Sequence, residues 1–486
     1  MRTCDTLYFG GETKSLIWII LALLLLVFQI AAVVIFEYSR PYKAVTWVVI
    51  LFLFPLFGYL LYFFIGKEYI LKRPINPADH IRLEQVREHL SERCERQRIE
   101  GGVNPAALPN DRIHSILEHA ASFPVAVGNE TTVYAAGEEA FEDMLQAISL
   151  ARHHIHIEFY IIRDDELGFR FQQLLIQKAK EGVKVKLMYD GIGSHKLRKS
   201  FVNRLHEAGV ETGCFSPPLI SFFTRSLNYR NHRKIVVVDG RIGYFGGLNI
   251  GDEYLGKDPK IGYWRDTHFR IEGNAVWWIQ YTFLTDWYFV KGILLADPEY
   301  YPLQESKGKE WVQIVKSGPD KPILNLFFSC FVSAKRRIYI ESPYFVLEPG
   351  VILALKTAAI SGVDVKVILP AVPDSKVVYL ASLSYIQELL QTGARFFLYE
   401  KGFIHSKVVI ADDLACSGSA NMDNRSFCGQ FELNAIFYDG KTVNQLVRDF
   451  CRDLSASKEI ELSQYEKRPQ LQKYKEAFAR LFSPLF

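Results

Sequence analysis

The string His232-x-Lys234, followed after four residues by Asp239, returns in the same chain as His405-x-Lys407 with Asp412. Gly246-Gly247 and Asn249 follow the first copy, and Gly418-Ser419 and Asn421 follow the second. A repeat in such similar surroundings demands a fold built from two copies of one half. Matched positions keep a steady offset: 183 between Glu158 and Glu341, 180 between Val183 and Val363, 173 between His232 and His405. A few indels account for the drift, as after a duplication.

A chain of 486 residues is too long for one compact core. In the first half a helix over 140–153 leads into a strand at 155–160, a second helix runs to Lys180, and 182–188 reads as another strand. In the second half a strand begins at Ile338, a helix covers about 350–359, and 362–369 matches the second strand. Strands alternating with helices predict an α/β class, with two similar halves over 125–305 and 306–486 related by a pseudo-two-fold axis.

Ahead of the halves lie two apolar runs, Leu16–Phe36 and Ala44–Ile65, joined by a short polar loop. Each has the roughly 20 residues that cross about 30 Å of hydrocarbon as a helix, so residues 1–73 predict a transmembrane helical hairpin. A cleaved signal peptide fits poorly, because the first run lacks a small-residue cleavage site and a second run follows at once. Arg2, Lys14, Lys67, Lys72 and Arg73 flank the outer ends of the hairpin, against Arg40 and Lys43 in the loop. The positive-inside rule then favours both termini in the cytoplasm. Residues 74–124 form a charged connector with a helix over about 79–97, its charges a solvated face. Seven scattered cysteines without CxxC spacing read as reduced thiols facing a cytosol and argue against a disulfide framework and a zinc site. A net charge of +3 argues against a nucleic-acid partner.

Side chains at i and i+2 of a strand share a face, so His232 points with Lys234 and His405 with Lys407, while Arg233 and Ser406 point to the other side. Each Asp lies roughly 16 Å beyond its Lys along an extended strand, at about 3.3 Å per residue. Asp239 and Asp412 therefore belong to the catalytic motif in a structural role, holding the hairpin turn. The second copy is one residue shorter between Asp and Gly, and this deletion belongs at the turn's tip. The returning strand sets Gly246 across from Lys234 and Asn249 beside His232, with Gly418 and Asn421 matching in the second copy. Asn249, Ser419 and Asn421 are the candidates to donate to phosphate oxygens.

Two facing histidines suit stepwise cleavage of a phosphodiester. One, neutral, attacks phosphorus to give a phosphohistidine; the other, protonated, donates to the leaving alcohol. Lys234 and Lys407 offset charge on the equatorial oxygens, so the chemistry requires no metal and no cofactor. Two imidazoliums beside two lysines repel, so the pair is expected to hold one proton near neutral pH and to titrate as a unit. Each ring also needs a carboxylate on its other nitrogen. Asp266 and Glu432, each on a later strand-like segment of its own half, are the candidates. His153, His154, His156 and His206 lack such context and read as structural. His268, two residues from Asp266 on one strand face, is the exception.

The duplicated motif resembles the phospholipase D superfamily. The two N-terminal runs, 227–234, 262–268, Glu341-Ser342-Pro343-Tyr344-Phe345 and 421–427 together are similar to bacterial cardiolipin synthases over essentially the whole chain. The visible departure is the residue missing after Asp412. The resemblance implies two phospholipase D-like halves on a bacterial inner membrane, multi-pass, with the catalytic part facing the cytoplasm. It implies that one phosphatidylglycerol gives its phosphatidyl group to His, glycerol leaves, and a second phosphatidylglycerol attacks to yield cardiolipin. By the same resemblance His232 is the nucleophile and His405 the acid and base, an order that two near-identical motifs do not themselves settle.

The partners expected are thus phosphatidylglycerol, cardiolipin and the bilayer. Pro217–Phe223 either dips into the bilayer or lines an acyl-chain groove, or else forms a buried loop. The aromatic stretch Trp277–Tyr288 predicts core packing between the halves. The stripe Leu471, Tyr474, Phe478, Leu481 and Phe482 suits either packing on the domain or an anionic lipid surface. The motif is blind to its acceptor. A membrane-tethered phospholipase D-type hydrolase releasing phosphatidic acid is the alternative, ahead of a nuclease or an inactive scaffold.

Overall fold

The computed structural model describes residues 9–38, 40–66, 76–100, 123–217, 229–305, 307–318, 322–438 and 440–483. Most of Pro217–Phe223 and all of the 101–122 part of the connector lie outside these. A fifteen-stranded sheet runs through both halves. The first half contributes β1 (Ala126–Tyr134), β2 (His154–Phe159), β3 (Lys184–Asp190), β4 (Glu211–Phe215), β6 (Lys234–Val238), β7 (Ile242–Gly246) and β9 (His268–Glu272), with the short β5 (Arg230–Asn231) and β8 (Trp264–Arg265) outside the sheet. The second half contributes β10 (Glu310–Lys316), β11 (Arg337–Glu341), β13 (Asp364–Pro370), β14 (Arg395–Tyr399), β16 (Val408–Ala411), β17 (Leu414–Gly418) and β20 (Leu433–Tyr438). Outside the sheet stand β12 (Phe345–Val346), β15 (Phe403–Ile404), β18 (Met422–Asp423) and β19 (Gln430–Phe431). β21 (Ser457–Glu459) extends the outer edge at β14.

Both halves order their strands alike. The first reads 4-3-2-6-7-9-1 and the second 14-13-11-16-17-20-10, with β1 and β10 joined antiparallel at the seam. The outer three strands of each half are parallel and the rest antiparallel. The parallel strands are crossed over by the helices Glu166–Lys180 and Pro349–Ile360, which bury their apolar faces on the sheet. One hydrophobic cluster fills each half. A third lies between them: Trp277, Trp278 and Trp287 of the helix Ala275–Lys291 share it with Ile404, Leu433 and Phe437 of the other half. The connector helix, Pro77–Glu100, is longer than expected and docks Leu83, Leu90 and Cys94 into this cluster.

The N-terminal region departs from the expected pair of spans. Phe9–Phe36 is one helix, and its Ser15–Phe36 stretch is long and apolar enough to cross a membrane. The second run is no continuous helix. It breaks at Phe54 into Pro41–Leu53 and Pro55–Leu61, followed by a π-helical turn at Tyr62–Gly66. Pro55 has no N–H to continue the ladder and forces the preceding residue out of helical geometry, and Phe54 stands at φ −140°, ψ 73°. The two pieces then fold back on each other. A Cβ on Gly58 would stand 3.0 Å from the Ile50 carbonyl, and Trp47 meets Tyr62 edge to face with centroids 5.3 Å apart. Both ends of the run thus return to the end of the first helix, where the Tyr62 hydroxyl reaches Glu37 at 3.4 Å.

Candidate active site

The two motif hairpins carry the site. β6 pairs with β7 so that Val238 faces Ile242, leaving a three-residue loop, Asp239–Arg241. β16 pairs with β17 so that Ala411 faces Leu414, leaving two residues. The missing residue is thus taken from the loop, and Lys407 still stands across from Gly418 as Lys234 does from Gly246. Asp239 and Asp412 adopt positive φ, 53° and 54°. The Asp239 carboxylate accepts from the backbone N–H groups of Arg152, His153 and His154, and Asp412 from those of Lys335, Arg336 and Arg337. Each clamps its hairpin to the start of β2 or β11, away from the histidines.

The orienting carboxylates cross between the halves. His232 Nδ1 lies 3.1 Å from both oxygens of Glu432, and His405 Nδ1 lies 2.6 Å from Asp266 Oδ2. Short parallel pairings build this exchange: β5 with β19, and β15 with β8. They continue into the histidines themselves, whose N–H groups donate across the seam, His232 to Phe431 O at 2.9 Å and His405 to Arg265 O at 2.7 Å. Each imidazole therefore belongs to one half and its carboxylate to the other, a swap that spacing along the chain could not reveal.

The two carboxylates are held differently. Gly247 leaves room for Asp266: a Cβ there would meet Oδ1 at 1.9 Å. The matching position is Ser419, whose hydroxyl donates to Glu432 Oε2 at 2.5 Å, while the Ser426 hydroxyl donates to Oε1 at 2.9 Å. Ser419, expected as a phosphate donor, thus spends its hydroxyl proton on Glu432 in this structure. Asn249 is likewise engaged, its Oδ1 accepting from Ile161 N at 3.0 Å and its Nδ2 donating to the Tyr254 hydroxyl at 3.3 Å. Asn421 Oδ1 is buried without a hydrogen-bond partner, beside the site. Ser426 lies in a stretch that marked the resemblance, yet nothing in its spacing signals its hold on Glu432.

Two arginines brace the carboxylates from behind. Arg233 donates through Nε to the Glu432 carbonyl and pairs with Asp286; Arg265 donates through Nη1 to the Asp266 carbonyl and pairs with Asp453. On the reacting side Lys234 and Lys407 each donate to the carbonyl of their own histidine at 2.6 Å. Tyr160 packs on His232 and Trp264 on His405, with centroids 4.9 and 5.0 Å away.

Burial governs the charges. Desolvation lowers His232 to about 4, opposed by Glu432, and lowers His405, where Lys407 adds to the effect. Desolvation also lowers Lys234 to about 7 and Lys407 to about 8. Burial pushes Asp266 up, but Lys407 and His405 outweigh it and hold the group at about 2; His232 and Lys234 likewise keep Glu432 below the ordinary carboxylate value. His232 feels Lys407 and His405 feels Lys234, so the two motifs share one electrostatic environment. Burial and the two lysines thus lower both rings below the ordinary histidine value, against the pull of Glu432 and Asp266. His268 is buried with neither ring nitrogen hydrogen-bonded and is held neutral by desolvation, opposed by Asp266.

Residues 144–261 and 328–454 match the family model described as cardiolipin synthase, PLD-like domain. The chain is 41% identical over 468 residues to cardiolipin synthase 2 of Bacillus anthracis, covering 94% of this chain and 90% of that protein. It is 41% identical over 467 residues to the major cardiolipin synthase ClsA of Bacillus subtilis, covering 94% and 96%. The fold resembles the crystal structure of phosphatidylserine synthase from Haemophilus influenzae, with a TM-score of 0.60 at 15% identity over 77% of this chain and all of that one.

Proposed function

The chain belongs to the cardiolipin synthase family, and we propose from that premise that it joins two phosphatidylglycerol molecules through a phosphohistidine. The observation that carries the mechanism is the reciprocal pair His232–Glu432 and His405–Asp266. Each carboxylate fixes Nδ1 as the protonated nitrogen and leaves Nε2 to react. His232 Nε2 attacks phosphorus of the first phosphatidylglycerol. The bond to the glycerol oxygen breaks, and that oxygen takes a proton from His405. The headgroup hydroxyl of the second phosphatidylglycerol then returns a proton to His405 and attacks phosphorus. The P–N bond breaks and cardiolipin leaves.

The division of roles follows from the unequal carboxylates. Asp266 faces His405 at 2.6 Å and favours the imidazolium that an acid needs. Glu432 spreads its charge over two serine hydroxyls as well as His232, which suits a ring that stays neutral to attack. An arriving phosphodiester anion raises the affinity of His405 and both lysines for protons, so the acid is charged as substrate binds. Asn421 remains our candidate for a phosphate contact, while Asn249 reaches phosphate on releasing Tyr254.

We further read the halves, 125–305 and 306–486, as duplicated copies related by a pseudo-two-fold axis, preceded by a membrane-anchoring segment at 1–73 and a connector at 74–124. The catalytic halves face the cytoplasm of a bacterial inner membrane. Along the chain Arg40, Lys43, Lys67, Lys72 and Arg73 follow the first apolar run, against Arg2 and Lys14 before it. The positive-inside rule favours the cytoplasm for the side that follows. Labelled phosphatidylglycerol supplied to the membrane-bound protein tests the reaction: cardiolipin with an equal yield of glycerol is expected, and phosphatidic acid in place of cardiolipin would overturn it. H232A is expected to abolish a trappable phosphoenzyme; if H405A alone abolishes it, the roles exchange.

A further inference from the structure

The helix Gln470–Leu481 is packed inside out for a water-facing element. Leu471, Tyr474, Phe478 and Leu481, one stripe at helical spacing, are 65%, 69%, 58% and 45% exposed. Glu476 and Ala479 are the residues it buries, with Arg468 neutralising Glu476. Lys473 and Lys475 share the helix, and Lys475 is exposed. Its last turn is tied to the N-terminal apolar segment, for the Thr46 hydroxyl donates to the Leu481 carbonyl at 2.7 Å. Two residues on, the Ser483 carbonyl accepts from Asn424 Nδ2 at 3.2 Å, in the short helix whose Ser426 holds Glu432.

Thr46 lies near the start of the second apolar run, at its loop end. Had that run crossed the membrane, the catalytic halves would sit beside the end remote from them along the chain. The fold-back at Phe54–Pro55 removes the conflict. A 13-residue helix such as Pro41–Leu53 is about 20 Å long, short of the roughly 30 Å of hydrocarbon. Its returning partner brings Tyr62 back to Trp47 and Glu37. The first helix agrees: Val33 is buried against this fold-back, whereas Leu16 to Leu25 stands exposed beyond its reach.

We propose that residues 41–66 enter and leave one leaflet without crossing it, and that the stripe of the C-terminal helix lies in the same leaflet, its lysines against anionic headgroups. The chain then crosses the bilayer once, and the catalytic halves ride on the leaflet that supplies their lipids. This rests on the membrane reading above and specifies its topology.

Native Cys4 and the exposed Cys451 report the two ends of the chain, and Tyr42→Cys and Phe478→Cys, each in a C4S/C451S background, report the new surface. A membrane-impermeant thiol reagent is applied to intact spheroplasts and to inverted membrane vesicles of cells making the full chain. Cys4 is expected to react from one side, and Cys451 with Tyr42→Cys from the other. Reaction of Tyr42→Cys and Cys451 from opposite sides means a second crossing and overturns the single-crossing topology. Depth is read on purified protein in vesicles of phosphatidylcholine with phosphatidylglycerol, using a nitroxide label and oxygen collision. The label at Phe478 is expected in the bilayer, and Phe478→Glu is expected to weaken vesicle binding on the order of tenfold. A Phe478 label as water-accessible as one at Cys451, or shielded only as protein density rises, overturns the docking face. A label at Leu23 separates the two readings. Leu23 in lipid with Phe478 in water sinks this inference alone, and both in water sinks membrane anchoring with it.

Discussion

Glu432 and Asp266 show how much a single carboxylate decides at this site. Removing the charge while keeping the shape, as in Glu432→Gln, leaves His232 free to adopt the wrong tautomer, and a loss of about 10²–10⁴ in kcat is expected. The buried charges also set the pH profile. As pH falls through about 4, His232 takes up a proton and loses its nucleophilic lone pair, so kcat/KM declines there and not near the ordinary histidine value of 6.5. As pH rises through about 7 and then about 8, Lys234 and Lys407 lose the protons that neutralise phosphate, and kcat/KM declines again. Rates measured at subsaturating lipid across this range check both limbs. An alkaline limb that is unmoved in Lys234→Arg would remove Lys234 from that role.

At the scale of elements, the motif hairpins are rigid because their aspartates tie them down. Asp239→Ala removes the acceptor for three N–H groups and leaves alanine at φ 53°, so a loss of about 1–3 kcal/mol in unfolding free energy is expected with KM unchanged. Denaturant unfolding of the solubilised chain and steady-state kinetics on the same sample test it; a raised KM would mean that the turn reaches the substrate. Both strands and turn were legible in the chain, since alternation, the Asp-Gly dipeptide and the H-x-K spacing are local signals. The second apolar run differs from a continuous helix for a local reason as well. Hydropathy counts apolar residues and is blind to direction, whereas Pro55 reverses the path.

Across the whole molecule, neither half holds a complete site. A double-mutant cycle on thermal stability is expected to couple His405 with Asp266, and His232 with Glu432, by about 0.5–3 kcal/mol, with little coupling between His232 and Asp266. Coupling of each histidine to the carboxylate of its own half would contradict the exchange. The aromatic helix Ala275–Lys291 serves the same union, filling the shared core with three buried tryptophans.

The amino-acid sequence by itself determined that there are two halves, that each presents a histidine and a lysine on one strand face, and that an apolar segment precedes them, and it offered Asp266 and Glu432 as candidate carboxylates. These follow from periodicity and residue chemistry, which act within a few residues. Only the tertiary structure decided which carboxylate serves which histidine, that Ser419 and Ser426 hold Glu432, and that the second apolar run turns back. The exchange of carboxylates depends on strands pairing across the seam and on side chains some 140 to 200 residues apart, whereas the turn-back follows the break at Pro55 and the packing of Tyr62 on Trp47.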